Sequence, residues 1–311
     1  MANVTHFTFP STDGTTRLHA KLWANPDSAP RAVIQLVHGV SEHIGRYDRF
    51  ARYLVQYGFA VAGHDHLGHG YSLPRGGTPI YFRSQNGWET ATDDVYALHM
   101  LLRQKYPGIP CFILGHSMGS FLTRSLLIRY SGCVDGAIIM GSGWNSEAAI
   151  AGGIAVTEII GLLKGKRATS NFVNTLAFGG YNKAFAPNRT DFDWIAADEK
   201  AVDRYIADPK CGEAATVGLF GDMLRGFHFN QRKENLAQMD KNTPILFISG
   251  ADDPVGGMGR GVGKSRDAFL SAGVQEVEML LCPGLRHEIL NEPSAPEAVD
   301  APILRWLERH L

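Results

Sequence analysis

The chain has 311 residues, with 30 Lys and Arg against 31 Asp and Glu and a formal net charge of −1. This near-neutral balance excludes a global electrostatic pull toward nucleic acid or an anionic membrane, so nucleic acid is not an expected partner and any membrane contact needs a local patch. A chain of this length buries a sizeable core, as one large α/β domain or as a domain carrying an insertion.

The N-terminal stretch MANVTHFTFPSTDG has no basic segment followed by an apolar one, so it is not expected to be a secretory signal, and the mature chain is expected to begin at Met1. Two strands are predicted first, over about Val4–Phe9 and Leu18–Ala24, joined by a hairpin turn at Asp13-Gly14. Six short apolar runs follow: Ala32–Gly39, Phe59–Asp65, Pro110–His116, Gly136–Gly141, Pro244–Gly250 and Val277–Gly284. Their near-continuous apolar character suits strands covered on both faces, and helical patterns alternate with them. The helical patterns are Arg46–Gly58, Trp88–Tyr106, Met118–Tyr130 and a last one ending at Leu311, with Ile303, Leu304, Leu307 and Leu311 on its apolar face. From Trp144 to about Gln231 no strand pattern occurs. The expected organisation is therefore a core in two parts, 1–143 and 232–311, with an inserted helical cap over 144–231. The fold class expected is α/β, a mostly parallel eight-stranded sheet with helices on both faces.

Four cysteines, Cys111, Cys133, Cys211 and Cys282, are scattered without a C-x-x-C pair and read as reduced thiols rather than a zinc ribbon. The longest weakly polar run, Ala148–Leu163, is interrupted by Glu158 and falls short of the roughly 20 residues that a spanning helix needs. A cytoplasmic protein is the expectation.

One pentapeptide carries chemistry. Gly115, His116, Ser117, Met118 and Gly119 form a G-x-S-x-G between a predicted buried strand and a predicted helix, the setting of a nucleophile elbow. The two glycines allow a turn too sharp for side chains, and the helix start beyond Ser117 favours developing negative charge. A serine hydroxyl needs a base, and the base needs an orienting carboxylate, both expected later in the chain in the order acid, then histidine. His287 stands just past the last strand. Asp253 is the expected acid, with Asp252 as the alternative. The expected oxyanion donors are the backbone N–H groups of Met118 and of Val40, in the loop after the third strand.

With these residues in place, the sequence resembles the monoacylglycerol lipase and lysophospholipase branch of the α/β-hydrolase superfamily. The resemblance rests on His38–Tyr47 (HGVSEHIGRY), Gly63–Ser72 (GHDHLGHGYS), GHSMGS from Gly115, SGADDPVG from Ser249 and Arg286–Glu288. It implies the same triad, Ser117, Asp253 and His287, the same donors, Val40 and Met118, and a cap including Phe178–Trp194. It also notes one departure, Ser120, where the mammalian lipases carry a second glycine.

Three further features have structural readings. The resemblance places His64, His66 and His69 in a loop after a strand, where Asp65 and the glycines are expected to shape the turn and the imidazoles to hydrogen-bond locally rather than hold a metal, and neither metal nor cofactor is expected. Glu42, His43, Arg46 and Tyr47 are expected to brace the oxyanion loop. The run Ala148–Leu163 is expected to pack as a lid, with a transient membrane-surface helix as the alternative. The function expected is a serine hydrolase acting on hydrophobic acyl esters such as monoacylglycerols or lysophospholipids, through an acyl-enzyme. The alternatives are an amidase or thioesterase using the same triad, and a non-catalytic ligand-binding homologue. Oligomeric state is not legible.

Overall fold

The structure is a computed structural model that describes residues 2–311, so the expected chain start at Met1 lies outside it. Eight strands form one sheet: β1 (Asn3–Pro10), β2 (Arg17–Ala24), β3 (Val33–Val37), β4 (Ala60–His64), β5 (Cys111–His116), β6 (Gly136–Met140), β7 (Ile245–Gly250) and β8 (Val277–Cys282). Their order is β1-β2-β4-β3-β5-β6-β7-β8, antiparallel only where β1 meets β2 and β2 meets β4. The continuous apolar runs become the central strands, and every residue of β3, β4, β5, β6 and β7 is buried.

Side-chain alternation sorts the core into two layers. Val33, Val37, Ile113, Ile139 and Phe247 face α2 (Gly87–Lys105), α3 (Met118–Arg129) and α9 (Arg260–Ser271). Ile34, Leu36, Phe112, Leu114, Ile138 and Ile248 face α1 (Asp48–Gln56) and α10 (Ala301–Arg309) on the other side. Parallel strands covered on both faces direct their carboxyl ends to one rim, where the loops are free to carry chemistry.

Between β6 and β7 the chain runs through α4 (Glu147–Lys164), α5 (Asn171–Phe178), α6 (Glu199–Ala207), α7 (Val217–Gln231) and the short α8 (Lys233–Leu236), with one isolated bridge, Thr169 to Thr216. Four of these helices begin with a capping side chain: Ser146, Ser170, Asp198 and Thr216 each accept a backbone N–H from the first turn. The sequence therefore marks their starts locally, although no strand periodicity precedes them.

Three details differ from the sequence expectations. Helix α10 ends at Arg309, and Leu311, assigned to its apolar face, lies 44% exposed past the final turn. The α4 run does not pack along its whole length. Ile150 and Thr157 are buried against the rest, whereas Ile159, Leu162 and Leu163 are exposed, because α7, whose start lies beside Gly161 and Lys166, covers only one face of the helix. His66 Nε2 and His69 Nδ1 find local carbonyl partners, His38 and Leu67, but neither ring nitrogen of the fully buried His64 has a hydrogen bond. Burial holds the His64 ring neutral, with its pKa pushed down to about 4. No described helix is long and apolar enough to cross a membrane.

Candidate active site

Ser117 occupies the turn between β5 and α3 with φ 53° and ψ −124°, a backbone conformation that costs a non-glycine residue free energy and persists only where the surroundings over-determine it. Three constraints do so here. The Ser117 N–H donates to the Met140 carbonyl at 3.0 Å, tying the turn to β6. A Cβ on Gly115 would strike the Gly119 carbonyl, and a Cβ on Gly119 would strike that of Val37. Ser120, the departure noted in the sequence, is fully buried, and its hydroxyl donates back to the Ser117 carbonyl at 2.6 Å, so the extra atoms close the turn instead of crowding it.

His287 lies on the loop after β8 and Asp253 on the loop after β7, adjacent because those strands pair in parallel. The His287 Nδ1 donates to Asp253 Oδ2 at 3.0 Å. Asp253 is completely buried, and it also accepts from Ser249 Oγ (3.0 Å) and from the Val255 N–H (2.9 Å). Burial raises a carboxyl pKa, but here the ring and these donors outweigh it, so Asp253 stays ionised below the ordinary range. The neighbouring Asp252 side chain is exposed, with its own N–H donating to the Leu285 carbonyl. The structure thus brings Asp253, not Asp252, to the imidazole.

Ser117 and His287 line the same cavity, but the Ser117 hydroxyl makes no hydrogen bond among the described residues. Catalytic hydrogen bonds of this kind commonly tighten only when substrate is bound. Val40 and Met118 line the same space, and neither of their N–H groups has a protein acceptor among the described residues. The loop after β3 comes this close because Gly39 has no side chain. A Cβ there would lie 3.0 Å from the Ser117 Cβ and 2.7 Å from Glu42 Oε1.

A buried polar network lies beneath the cavity; Glu42, Arg46 and Tyr47 brace the loop after β3 as the sequence led one to expect, whereas His116 and Glu288 were not anticipated as its members. Glu42 Oε1 accepts from the Gly39 N–H (2.6 Å), the Tyr47 hydroxyl (3.0 Å) and His116 Nδ1 (3.1 Å), while Oε2 accepts from Arg46 (3.3 Å). Arg46 also makes a bidentate pair with Glu288 at 2.5 and 2.7 Å, and His116 Nε2 donates to the His287 carbonyl at 3.3 Å. Burial alone would raise the Glu42 carboxyl, yet His116, Arg46 and the Gly39 N–H hold it down at about 2. Burial would likewise depress His116, but the Glu42 carboxylate raises it above the ordinary value. Both His116 nitrogens face acceptors, which fits the doubly protonated ring. The available signal was a titratable residue at the end of an otherwise apolar buried strand.

The cavity has a volume of about 930 Å³ and is walled by Phe121, Val156, Val173, Phe178, Phe220 and Phe227 among others. The segment between β6 and β7 is fastened to the His287 loop. Arg286 donates to the carbonyls of Asp193 and Ala196, the Glu288 N–H donates to the Ile195 carbonyl at 2.7 Å, and Glu292 accepts from the N–H groups of Ala197 and Asp198. The Trp194 ring rests 5.2 Å from that of His287, centroid to centroid.

The family model for serine aminopeptidase S33 matches residues 28–294. A monoacylglycerol lipase of Mycolicibacterium smegmatis is 27% identical over 96% of this chain and 95% of its own. The monoglyceride lipase of Homo sapiens is 30% identical over 76% of this chain and 69% of its own. Among solved structures, a thermostable carboxyl esterase from Bacillus coagulans in complex with glycerol superposes with a TM-score of 0.91 at 25% identity, covering 99% of both chains.

His116 gives stability a pH dependence of known sign. Its folded pKa is raised, so its contribution is fully present below the ordinary histidine value of about 6.5 and is lost as pH rises through the raised value. The wild type should therefore lose its stability advantage over His116→Gln as pH increases, measured as the gap between their thermal midpoints. A gap that does not change with pH would contradict the charged-ring assignment.

Proposed function

We propose, for a chain that belongs to the serine aminopeptidase S33 family and to the monoacylglycerol lipase branch of the α/β-hydrolase superfamily, that it cleaves neutral esters of single acyl chains through an acyl-enzyme. It is a carboxylic ester hydrolase, and its substrates are small-molecule esters. The observation that carries the finer reading is the buried Asp253–His287 pair, whose imidazole lines one cavity with a serine held at φ 53°.

In this mechanism Ser117 Oγ attacks the ester carbonyl carbon while His287 Nε2 takes its proton, and Asp253 holds the Nδ1–H and stabilises the imidazolium. The carbonyl oxygen takes up negative charge facing the N–H groups of Val40 and Met118, each such donor being worth about 2.7–4 kcal/mol of transition-state stabilisation. The alcohol leaves with the proton from His287. Water, deprotonated by the same ring, then attacks the acyl-enzyme and releases the acid. The segment 144–231 acts as the cap: its apolar walls take the acyl chain, and Trp194 shields the imidazole from bulk water.

The charge of the cavity supports a neutral head group. Glu42, Asp191, Glu213 and Glu288 contribute to its lining, and no Lys or Arg does among the described residues. A phosphate would meet no Lys or Arg, and the His116 imidazolium in the lining is already committed to Glu42 and the His287 carbonyl, which leaves the anion poorly compensated in a partly desolvated site. Monoacylglycerol should therefore exceed lysophosphatidic acid of the same chain length in kcat/KM by about tenfold or more, a difference of about 1.4 kcal/mol, and Ser117→Ala should abolish both activities. Equal or faster turnover of the phosphate ester would overturn the head-group reading. Turnover of neither lipid nor p-nitrophenyl esters would overturn the ester-hydrolase mechanism.

The outward end of α4 supports contact with a lipid surface. Leu162 is 88% and Leu163 79% exposed, with Ile159 on the same helix and Phe172 and Leu176 on α5, and Lys164, Lys166 and Arg167 follow at once. Of these exposed apolar side chains, Leu176 also lines the cavity. Apolar side chains beside a small basic cluster suit the interface of an anionic bilayer. Replacing Ile159, Leu162 and Leu163 by Ser should abolish co-sedimentation with phosphatidylglycerol vesicles while hydrolysis of a soluble short-chain ester continues. Undiminished vesicle binding would contradict this role.

A further inference from the structure

Away from the Ser117 cavity, the loop after β3 and the turn after α6 bring together three groups that can ligate a metal. His43 Nε2 lies 2.8 Å from Asp208 Oδ2, and Cys211 Sγ joins them, the three ligand atoms all within 4.8 Å of one another. The turn accounts for the pairing of Asp208 with Cys211. Asp208 terminates α6, its carbonyl accepts the Cys211 N–H at 3.0 Å, and its Oδ1 accepts the Lys210 N–H at 2.9 Å. This leaves Oδ2 and the thiol on the side facing His43.

An imidazole nitrogen, a carboxylate oxygen and a sulfur make a donor set for a borderline-soft cation, whereas Mg2+ and Ca2+ require oxygen ligands. A tetrahedral ion with bonds of about 2.0–2.3 Å spans ligand atoms about 3.3–3.8 Å apart. The His43–Asp208 pair would need to open by only a fraction of an ångström.

We propose that His43, Asp208 and Cys211 form a site for a divalent cation of the zinc class, with water at a fourth position, and that its occupancy slows turnover. On binding, three metal–ligand bonds form, the thiol proton passes to solvent and no electron is transferred. The consequence for turnover comes from His43. Its Nδ1 accepts the Gly45 N–H at 3.2 Å, so Nε2 carries the proton given to Asp208. A cation on Nε2 forces that proton to Nδ1, where it opposes the Gly45 N–H and loosens the turn Ile44–Tyr47. This turn supplies Arg46 and Tyr47 to Glu42, which in turn holds the Gly39 N–H beside Val40. The far side of the site is tied to the same loop, since the Gly212 N–H donates to the Ser41 carbonyl at 3.0 Å and Ser41 Oγ donates to the Glu213 carbonyl at 2.7 Å.

The effect on turnover rests on Val40 as an oxyanion donor; the binding itself does not. The test is Co2+ titration of the full-length, metal-free enzyme, read by thiolate-to-cobalt charge-transfer absorption, together with Zn2+ titration of the hydrolysis of a soluble ester. The wild type should develop the charge-transfer band to saturation near about one equivalent. Cys211→Ser should lose the band and bind Zn2+ about tenfold or more weakly. Glu276→Gln, in the partly exposed cluster of Glu276, Glu278 and His310, should keep the band. Zn2+ should lower kcat in the wild type and not in Cys211→Ser at the same concentration. No band in the wild type, or an unchanged band in Cys211→Ser, would overturn the site. Equal Zn2+ inhibition in both proteins would overturn the effect on turnover and direct attention to His287. The cobalt band decides binding even if no ester is hydrolysed.

Discussion

The carboxylate of Glu42 is the interaction on which the rest of the site depends. A buried charge costs several kcal/mol unless its lone pairs are satisfied, and this one is satisfied by donors from three places in the chain: the Gly39 N–H after β3, His116 at the end of β5, and Arg46 and Tyr47 at the start of α1. The same donors reach onward, Arg46 to Glu288 and His116 to the His287 carbonyl. The loop bearing Val40, the residue before Ser117 and the loop bearing His287 are thereby fixed to one another without help from substrate. Such preorganisation is what an oxyanion site requires, because donors that must reorient during the reaction lose much of their effect.

That network also shows where sequence reading runs out. The strands were legible because buried parallel strands must be apolar along their whole length, and the turn at Ser117 because only glycines fit at 115 and 119. His287 and Asp253 were legible because each follows a strand whose carboxyl end reaches the functional rim. The choice between Asp253 and Asp252 needed the backbone, since adjacent side chains diverge and only coordinates show which one turns inward. The Arg46–Glu288 pair links positions 242 residues apart and carries no local signal. The exposed end of α4 was misread as packed because its composition is mostly apolar on every side. Which face of such a helix finds a partner depends on where α7 lies beside it.

The inserted segment is joined to the core through the histidine loop rather than resting loosely over it. Arg286, Glu288 and Glu292 bind main-chain groups between Asp193 and Asp198, flanking His287 on both sides in sequence. A displacement of Trp194 would therefore be felt at the imidazole as well as at the cavity wall. The same segment supplies most of the apolar wall, so the shape of the cavity and the placement of the His287 ring depend on one structural element.

The most direct measurement is the site and rate of fluorophosphonate labelling, mapped by peptide mass spectrometry. The account predicts phosphonylation of Ser117 in the wild type, none in Ser117→Ala, and a large loss of labelling rate in His287→Ala while the fold, checked by circular dichroism, is retained. Labelling at another residue, or a rate unaffected by loss of the imidazole, would contradict it.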